Sequence, residues 1–331
     1  DEAVRSEAEL IQHYLAPLTD DHDGALELRD DCAYLAPDAG FDLVLTTDSM
    51  VEGRHFLPGD VPGFKALAVN ISDLIAKGAE PVGYLLTLGL AALPTRKFLI
   101  KLTTGLGAAQ MAFGCRLLGG DTDVTGGPFT ITIAALGRLP SGTMVRRNGA
   151  RPGDIVYVTG TIGDATLGLR LRQSPELAKA WGLETAAAVA LVGRFDMPRP
   201  PVAAAQPLRA HASAAMDVSD GLAKDFLTLC RASGVGGTLR LDAVPLSGPA
   251  RRVIGGGGVA VAELISGGED YEVLATVRAE KAQSFEAALA AAGVRATAIG
   301  SIDAGEGCRF VGTDGAPVRL EAVGWDHLDG R

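Results

Sequence analysis

The sequence predicts a two-domain protein that mixes strands and helices, with an α+β first half. Three observations carry that expectation. The chain has 331 residues, 47% of them apolar, which favours two hydrophobic cores over one. Its first half runs strand, strand, helix, strand, helix, strand, strand when read for hydrophobic period. From about Pro140 the texture shifts to a basic, turn-rich segment, Arg146-Arg147-Asn148-Gly149-Ala150-Arg151-Pro152-Gly153-Asp154. The expected domains are therefore residues 1–139 and 140–331. Half-covered α+β sheets of this kind often dimerise.

Each element has its own warrant. Residues 4–16 place acidic and apolar side chains at helical spacing, and Pro17 ends that helix. Leu28-Arg29-Asp30-Asp31-Cys32-Ala33-Tyr34-Leu35 reads as an aspartate pair running into a strand, followed by the turn Pro37-Asp38-Ala39-Gly40. Phe41-Asp42-Leu43-Val44-Leu45 is a short apolar strand that carries Thr46-Thr47-Asp48 at its tip. Residues 64–76 form a largely apolar, hence buried, helix, with Asn70 and Asp73 on one face. A strand over 82–90 and a long helix over 94–116 follow. Residues 117–122 make a strand ending in Gly119-Gly120-Asp121, and 128–137 alternate as another strand. In the second half a strand over 155–159 leads to the turn Gly160-Thr161-Ile162-Gly163-Asp164, and a helix-rich region extends to about 192. The strand 214–218 runs into Ser219-Asp220-Gly221-Leu222 and a helix over 223–233. A helix end at 262–265 precedes Gly267-Gly268-Glu269-Asp270 and the start of a strand, and 280–292 is helical.

Composition excludes several classes. A net charge of −10 argues against a nucleic-acid backbone partner, which calls for a basic face. It does not argue against phosphorylated small molecules, since metal ions bridge acids to phosphates. Cys32, Cys115, Cys230 and Cys308 show no C-x-x-C spacing, so neither a zinc site nor a disulfide framework is expected, and a reducing cytoplasm fits. No signal peptide and no membrane helix is expected. There is no G-x-x-x-x-G-K-[ST], no Rossmann fingerprint and no G-x-S-x-G.

The chemistry-bearing residues are aspartates at element ends: Asp30-Asp31, Asp48, Asp73, Asp121, and Asp217 with Asp220. Any one alone reads as a cap or turn residue. Asp73 differs, because an aspartate inside an apolar helix is costly unless paired or metal-bound. Their neighbours, Thr46-Thr47, Gly119-Gly120 and Ser219, supply hard oxygens and backbone that can approach a phosphate. Together they point to a carboxylate cage for two or more Mg²⁺ ions that neutralise a nucleotide's phosphates. Arg147 is either a solvated surface charge or the cation facing a transferring phosphoryl group. His55 reads as a core histidine or a ligand contact, Glu269 as a turn cap or a ligand contact, and Trp325 as tail packing or a ring stacked on a ligand.

With those motifs laid out, the chain resembles the thiamine-monophosphate kinases of the PurM-like superfamily, which includes aminoimidazole ribonucleotide synthetase and selenophosphate synthetase. The likeness rests on Asp30-Asp31-Cys32-Ala33, Thr46-Thr47-Asp48 with Gly53-Arg54-His55-Phe56, Lys65 to Leu74, and Gly119-Gly120-Asp121-Thr122. It continues through Arg147 to Asp154, Asp217 to Leu222, Ser266 to Glu272, and Gly324-Trp325-Asp326-His327. The resemblance implies a ferredoxin-like N-terminal half that pairs with a second subunit's into a dimeric β-barrel. It also implies a C-terminal α/β domain that completes the ATP and substrate site. It implies ATP- and Mg²⁺-dependent phosphorylation of thiamine monophosphate to thiamine diphosphate, by direct in-line transfer without a protein nucleophile, in a cytoplasmic homodimer. Carried over, Asp31, Thr46, Thr47, Asp48, Asp73, Asp121, Asp217 and Asp220 hold metal. Gly120, Asp121, Arg147 and Ser219 contact ATP, and His55, Glu269 and Trp325 contact the thiamine phosphate. Two rivals stay open: a non-catalytic nucleotide or thiamine-phosphate sensor, and another ATP-dependent synthetase of the superfamily.

Overall fold

The computed structural model describes residues 6–28, 33, 35, 38–321, 323 and 324. Asp30, Asp31 and Trp325 lie outside the described residues, as does most of the strand expected over 28–35. The chain divides into two compact units, one of Asp1–Leu74 and Ala79–Gly142, the other of Ile75–Gly78 and Thr143–Arg331.

The first unit opens with a short helix, α1 (Glu7–Leu10), that widens into a π turn and tightens into a 3₁₀ turn ending at Thr19. Pro17 sits at the start of that last turn instead of ending the helix, a place where its missing N–H costs nothing. The unit continues with β1 (Phe41–Val51), α2 (Gly63–Ala76), β2 (Glu80–Leu90), α3 (Arg96–Phe113), β3 (Arg116–Val124) and β4 (Thr130–Pro140). The strands form one sheet in the order β1-β4-β2-β3. β4 is antiparallel to β1 and β2, and β3 runs parallel to β2. Among the described residues the element order is β-α-β-α-β-β, which differs from the β-α-β-β-α-β order of a ferredoxin-like unit. The cause is the parallel β2–β3 pair, which needs α3 as its crossover.

Two helices cover one face of this sheet. α3 buries Leu99, Leu102, Leu106, Ala109 and Phe113 along one stripe. The Thr95 hydroxyl accepts the Phe98 N–H to cap its start, and Gly114 closes its end at φ +67. α2 is buried nearly all round, and it meets α3 backbone to backbone: a Cβ on Gly63 would stand 2.3 Å from the Leu102 carbonyl. Beneath them lie Val44, Met50, Leu86, Leu88, Ile131, Ile133 and Ala135. The opposite face carries Leu43, Leu45 and Leu85, exposed at 40, 70 and 41%.

The second unit holds β5 (Ile155–Thr159), α4 (Asp164–Gln173), α5 (Leu177–Ala180), α6 (Thr185–Asp196), α7 (Ala205–His211), β6 (Ala212–Val218), α8 (Leu222–Ser233) and β7 (Gly236–Arg240). These are followed by α9 (Gly248–Gly255), α10 (Val261–Ser266), β8 (Glu272–Val277), α11 (Ala282–Ala291), β9 (Ala296–Asp303) and β10 (Cys308–Val311). The six strands run β10-β7-β9-β5-β8-β6, antiparallel except for β10 beside β7. Val156, Val158, Met216 and Val218 join Phe226, Leu229 and Cys230 of α8 in one core. On the other face Tyr157 meets Phe285 of α11, ring to ring at 5.3 Å. Leu167, Leu171, Leu191, Val253 and Leu264 make a separate cluster among α4, α6, α9 and α10. Among the described residues no helix is long and apolar enough to cross a membrane.

Candidate functional site

In the first unit, α2 grips β1 with two polar side chains. Asn70 is fully buried. Its Nδ2 donates to the Ala66 carbonyl at 3.0 Å and its Oδ1 accepts the Asp48 N–H at 3.0 Å, so its orientation is fixed by both partners. One turn along, Asp73 Oδ2 accepts the Thr46 hydroxyl at 2.6 Å. Thr46 and Asp48 share a face of β1 by strand alternation, while Thr47 points the other way and donates to the Ile133 carbonyl at 3.1 Å. The sequence reading put Thr46-Thr47-Asp48 at a strand tip. That is corrected: the pairing with β4 continues to Val51, so the three residues lie inside β1.

Gly120 and Asp121 sit on β3, at the opposite edge of the same sheet. The rungs Asp48–Ile133–Leu86–Gly120 and Ser49–Thr132–Thr87–Asp121 cross it. Three strand spacings separate the two edges by ~14 Å, and the register puts Asp121 on the face opposite Asp48. One chain's sheet therefore does not bring Asp121 to Thr46, Asp48 and Asp73. Gly120 is obligatory for a steric reason, since a Cβ there would stand 1.8 Å from the Leu86 carbonyl oxygen.

His55 sits in a tight turn just past β1, where Gly53 supplies φ +78. Its Nδ1 accepts the Val51 N–H at 3.0 Å, so in the neutral ring the proton belongs to Nε2. The buried Lys65 donates to the His55 carbonyl at 3.3 Å, and Glu52 holds the Gly59 N–H at 2.8 Å.

In the second unit Asp217 lies buried at the end of β6. The next turn, Ser219-Asp220, directs both N–H groups to Asp225 Oδ2, at 3.1 Å each. Burial first, and then the charge of Asp220, push the Asp225 carboxyl up to about 7. Asp220 pairs with Lys224 at 2.9 Å. Against this turn lies the loop that carries Glu269. The Glu269 N–H donates to the Ser219 carbonyl and that of Tyr271 to the Val218 carbonyl, both at 2.8 Å. Glu269 and Tyr271 take φ of +77 and +50, a conformation that costs a non-glycine residue on the order of 1–3 kcal/mol. Asp270 pins the loop by accepting the Gly163 N–H with both oxygens, at 3.0 and 3.1 Å, and its full burial pushes its carboxyl well up. Glu272 binds Arg194 at 2.7 Å and the Thr159 hydroxyl at 2.6 Å. Burial still raises it. Arg147 is exposed, with its carbonyl held by the Ser233 hydroxyl at 3.1 Å.

The residues the structure joins are thus Thr46 with Asp73, Asp48 with Asn70, and Ser219 with Glu269. Among the described residues no three His, Cys, Asp or Glu side chains are grouped to hold a metal ion. The donors at these places are hydroxyls and carboxylates, a set that suits a hard cation completed by phosphate oxygens. Lys65 and Asp225 are singled out by nothing in the sequence reading, and Asp270 appears there only as a turn cap. A lysine inside an apolar helix and an aspartate just after Ser-Asp-Gly were the available signals.

Two family models, the AIR synthase related protein N-terminal and C-terminal domains, match residues 29–139 and 151–312. A thiamine-monophosphate kinase of Caulobacter vibrioides is 40% identical over 98% of this chain and 92% of its own length. The chain belongs to the thiamine-monophosphate kinase family. Its two units are those of the PurM-like fold. In that family, the crystal structure of the thiamine-monophosphate kinase from Stenotrophomonas maltophilia superposes with a TM-score of 0.82, at 32% identity, covering 96% of this chain and 99% of that one. A structure described as AaThiL complexed with AMPPCP and TMP superposes at 0.75, with 31% identity, over 88% of this chain and 89% of that one.

Proposed function

We propose that the protein transfers the γ-phosphoryl group of ATP to the phosphate of thiamine monophosphate, giving ADP and thiamine diphosphate. The observation that carries this is likeness over 88% of the chain, at 31% identity, to a structure described as complexed with AMPPCP and TMP. The acceptor needs no activating nucleophile or strong base. Its phosphate has a second pKa of about 6 and is largely ionised near neutral pH. An acceptor oxygen forms the new P–O bond as the bond to the β-phosphate oxygen breaks, and ADP leaves with that electron pair. The protein's part is positioning and charge neutralisation.

In this reading Gly120, Asp121, Arg147 and Ser219 contact ATP, and Arg147 balances charge on the transferred group. His55 donates from Nε2 to the acceptor phosphate, and Glu269 and Trp325 hold the acceptor. Asp31, Thr46, Thr47, Asp48, Asp73, Asp121, Asp217 and Asp220 provide oxygens for Mg²⁺. Bound Mg²⁺ would neutralise the phosphate charge. The protein acts as a cytoplasmic homodimer whose two four-stranded sheets close into a barrel. Support comes from the uncovered leucines at 43, 45 and 85 and from β1 and β3 having, among the described residues, no further strand paired outside them. Edge-to-edge closure brings one copy's β1, which carries Asp48, against the other's β3, which carries Asp121, with the two side chains on opposite faces of the barrel wall.

The deciding experiment incubates the protein with ATP, Mg²⁺ and thiamine monophosphate and separates the products. Thiamine diphosphate in step with ADP is expected. ADP alone, or no turnover, removes the substrate assignment.

A further inference from the structure

The turn Ser219-Asp220-Gly221 lies between β6 and α8, and its backbone donors converge inward. Asp225 Oδ2 takes the Ser219 and Asp220 N–H groups, at 3.1 Å each. Successive N–H groups arranged this way make a nest, a concavity that in nucleotide-binding loops takes a phosphate. Here it is filled from within by a side chain that is 3% exposed. An acid in a helix's first turn ordinarily serves that helix's own N–H groups. Asp225 reaches back past the helix start to residues outside it. The turn is also fixed from its other side, where the Ser219 carbonyl accepts the Glu269 N–H and a Cβ on Gly268 would stand 2.3 Å from it. The protein thus uses the backbone of this turn itself. The side-chain oxygens left to the turn are the Ser219 hydroxyl and the Asp220 carboxylate, the latter paired with Lys224 at 2.9 Å.

We propose that Asp225 is a positioning residue for the nucleotide side of the reaction: it fills the nest, so Ser219 meets ATP through its hydroxyl and Asp220 faces the metal. This rests on the reading of Ser219 and Asp220 as nucleotide and metal residues. It assigns to Asp225 no contact with substrate.

The test is steady-state kinetics on the intact chain, with ATP, Mg²⁺ and thiamine monophosphate varied separately. Asp225→Asn keeps an acceptor oxygen and should raise the ATP KM and the half-saturating Mg²⁺ about two- to fivefold. Asp225→Ala should raise both about tenfold, with the acceptor KM within about twofold for either variant. Ser219→Ala should match Asp225→Ala in its ATP KM. An acceptor KM that climbs with the ATP KM would mean general loosening of the unit and would overturn the proposal. So would a parental ATP KM in Asp225→Asn, or in Ser219→Ala, which would return the contact to the backbone. If Asp225→Ala does not fold, Asp225→Asn decides by the same split. Asp220→Asn separates the two levels. A parental Mg²⁺ requirement there removes the reading underneath, whereas a raised one beside a parental Asp225→Asn overturns this inference alone.

Discussion

Asn70 makes no contact with a reacting group in this account, yet it decides where Asp48 stands. Its buried carboxamide bonds one carbonyl and one N–H, and truncation leaves both without it. Asn70→Ala should cost about 1–3 kcal/mol of stability, read by denaturant unfolding, and should raise the Mg²⁺ requirement as Asp48 loses its anchor. A variant with parental stability would show that water replaces the amide. Asp270 gives a pH prediction. Its folded carboxyl titrates above the ordinary 3.8, so the folded state binds a proton the unfolded chain has released. The stability it confers is complete below the ordinary value and is lost as pH rises through the folded one. Asp270→Asn cannot titrate, and its melting temperature should fall less than the parent's between about pH 4 and about pH 8. Parallel profiles would assign the slope to other groups, Glu272 first. Asp73 stood out in the sequence because a carboxylate inside an apolar helix needs a reason, and Asp48 because it follows two threonines at the end of an apolar run. Asp225 did not, because a lone aspartate beside a lysine within a helix reads as an ordinary surface residue, and Asp270 read only as a turn cap.

Elements were legible where period and length agreed. The helix expected over 64–76 is Gly63–Ala76, and the strand expected over 155–159 has those bounds. The strands at 236–240, 296–303 and 308–311 went unread. Gly236-Gly237 and Gly300 interrupt two of them, and the third has only four residues. Those glycines are there for packing: a Cβ on Gly300 would stand 2.1 Å from the Thr238 carbonyl, so strand propensity gives way to interstrand closeness. β1 was read too short, because its polar second half looks like a loop until β4 pairs with it. That strand also carries the assembly prediction. Leu45 is 70% exposed, so Leu45→Glu should alter the stability of one chain by no more than about 0.5 kcal/mol. In the closed barrel the same charge is buried. Sedimentation should therefore show monomer and activity should drop. A parental dimer would rule out closure through this face.

At the scale of the whole molecule the key fact is that Asp48 and Asp121 stand on opposite edges of one sheet. If two copies share each site, two inactive variants can rescue each other. Asp48→Asn and Asp121→Asn should each keep the fold and lose most activity. Mixed after dissociation and reassembly, they should regain about a quarter of parental turnover, because half the dimers are mixed and each holds one intact pair. No recovery would place both carboxylates in a site that a single chain completes. That the chain has two domains was legible from its length and its apolar content. The separation of Asp48 from Asp121 was not, because strand order is invisible until the register is known.

That strand order also has a consequence for synthesis. β1 pairs from Phe41 with Pro140, so a nascent chain must hold its first strand unpaired while about a hundred more residues emerge. At about 5–20 residues per second this lasts on the order of 5–20 s. Through that interval Val44 and Met50, which the finished unit buries, have no sheet to join, and their protection falls to whatever chaperone meets the ribosome exit. The partner strand is complete at Pro140, just before the unit's own boundary at Gly142. The first unit therefore folds in one late step at its end, and a translational pause just beyond it would raise the yield of active enzyme.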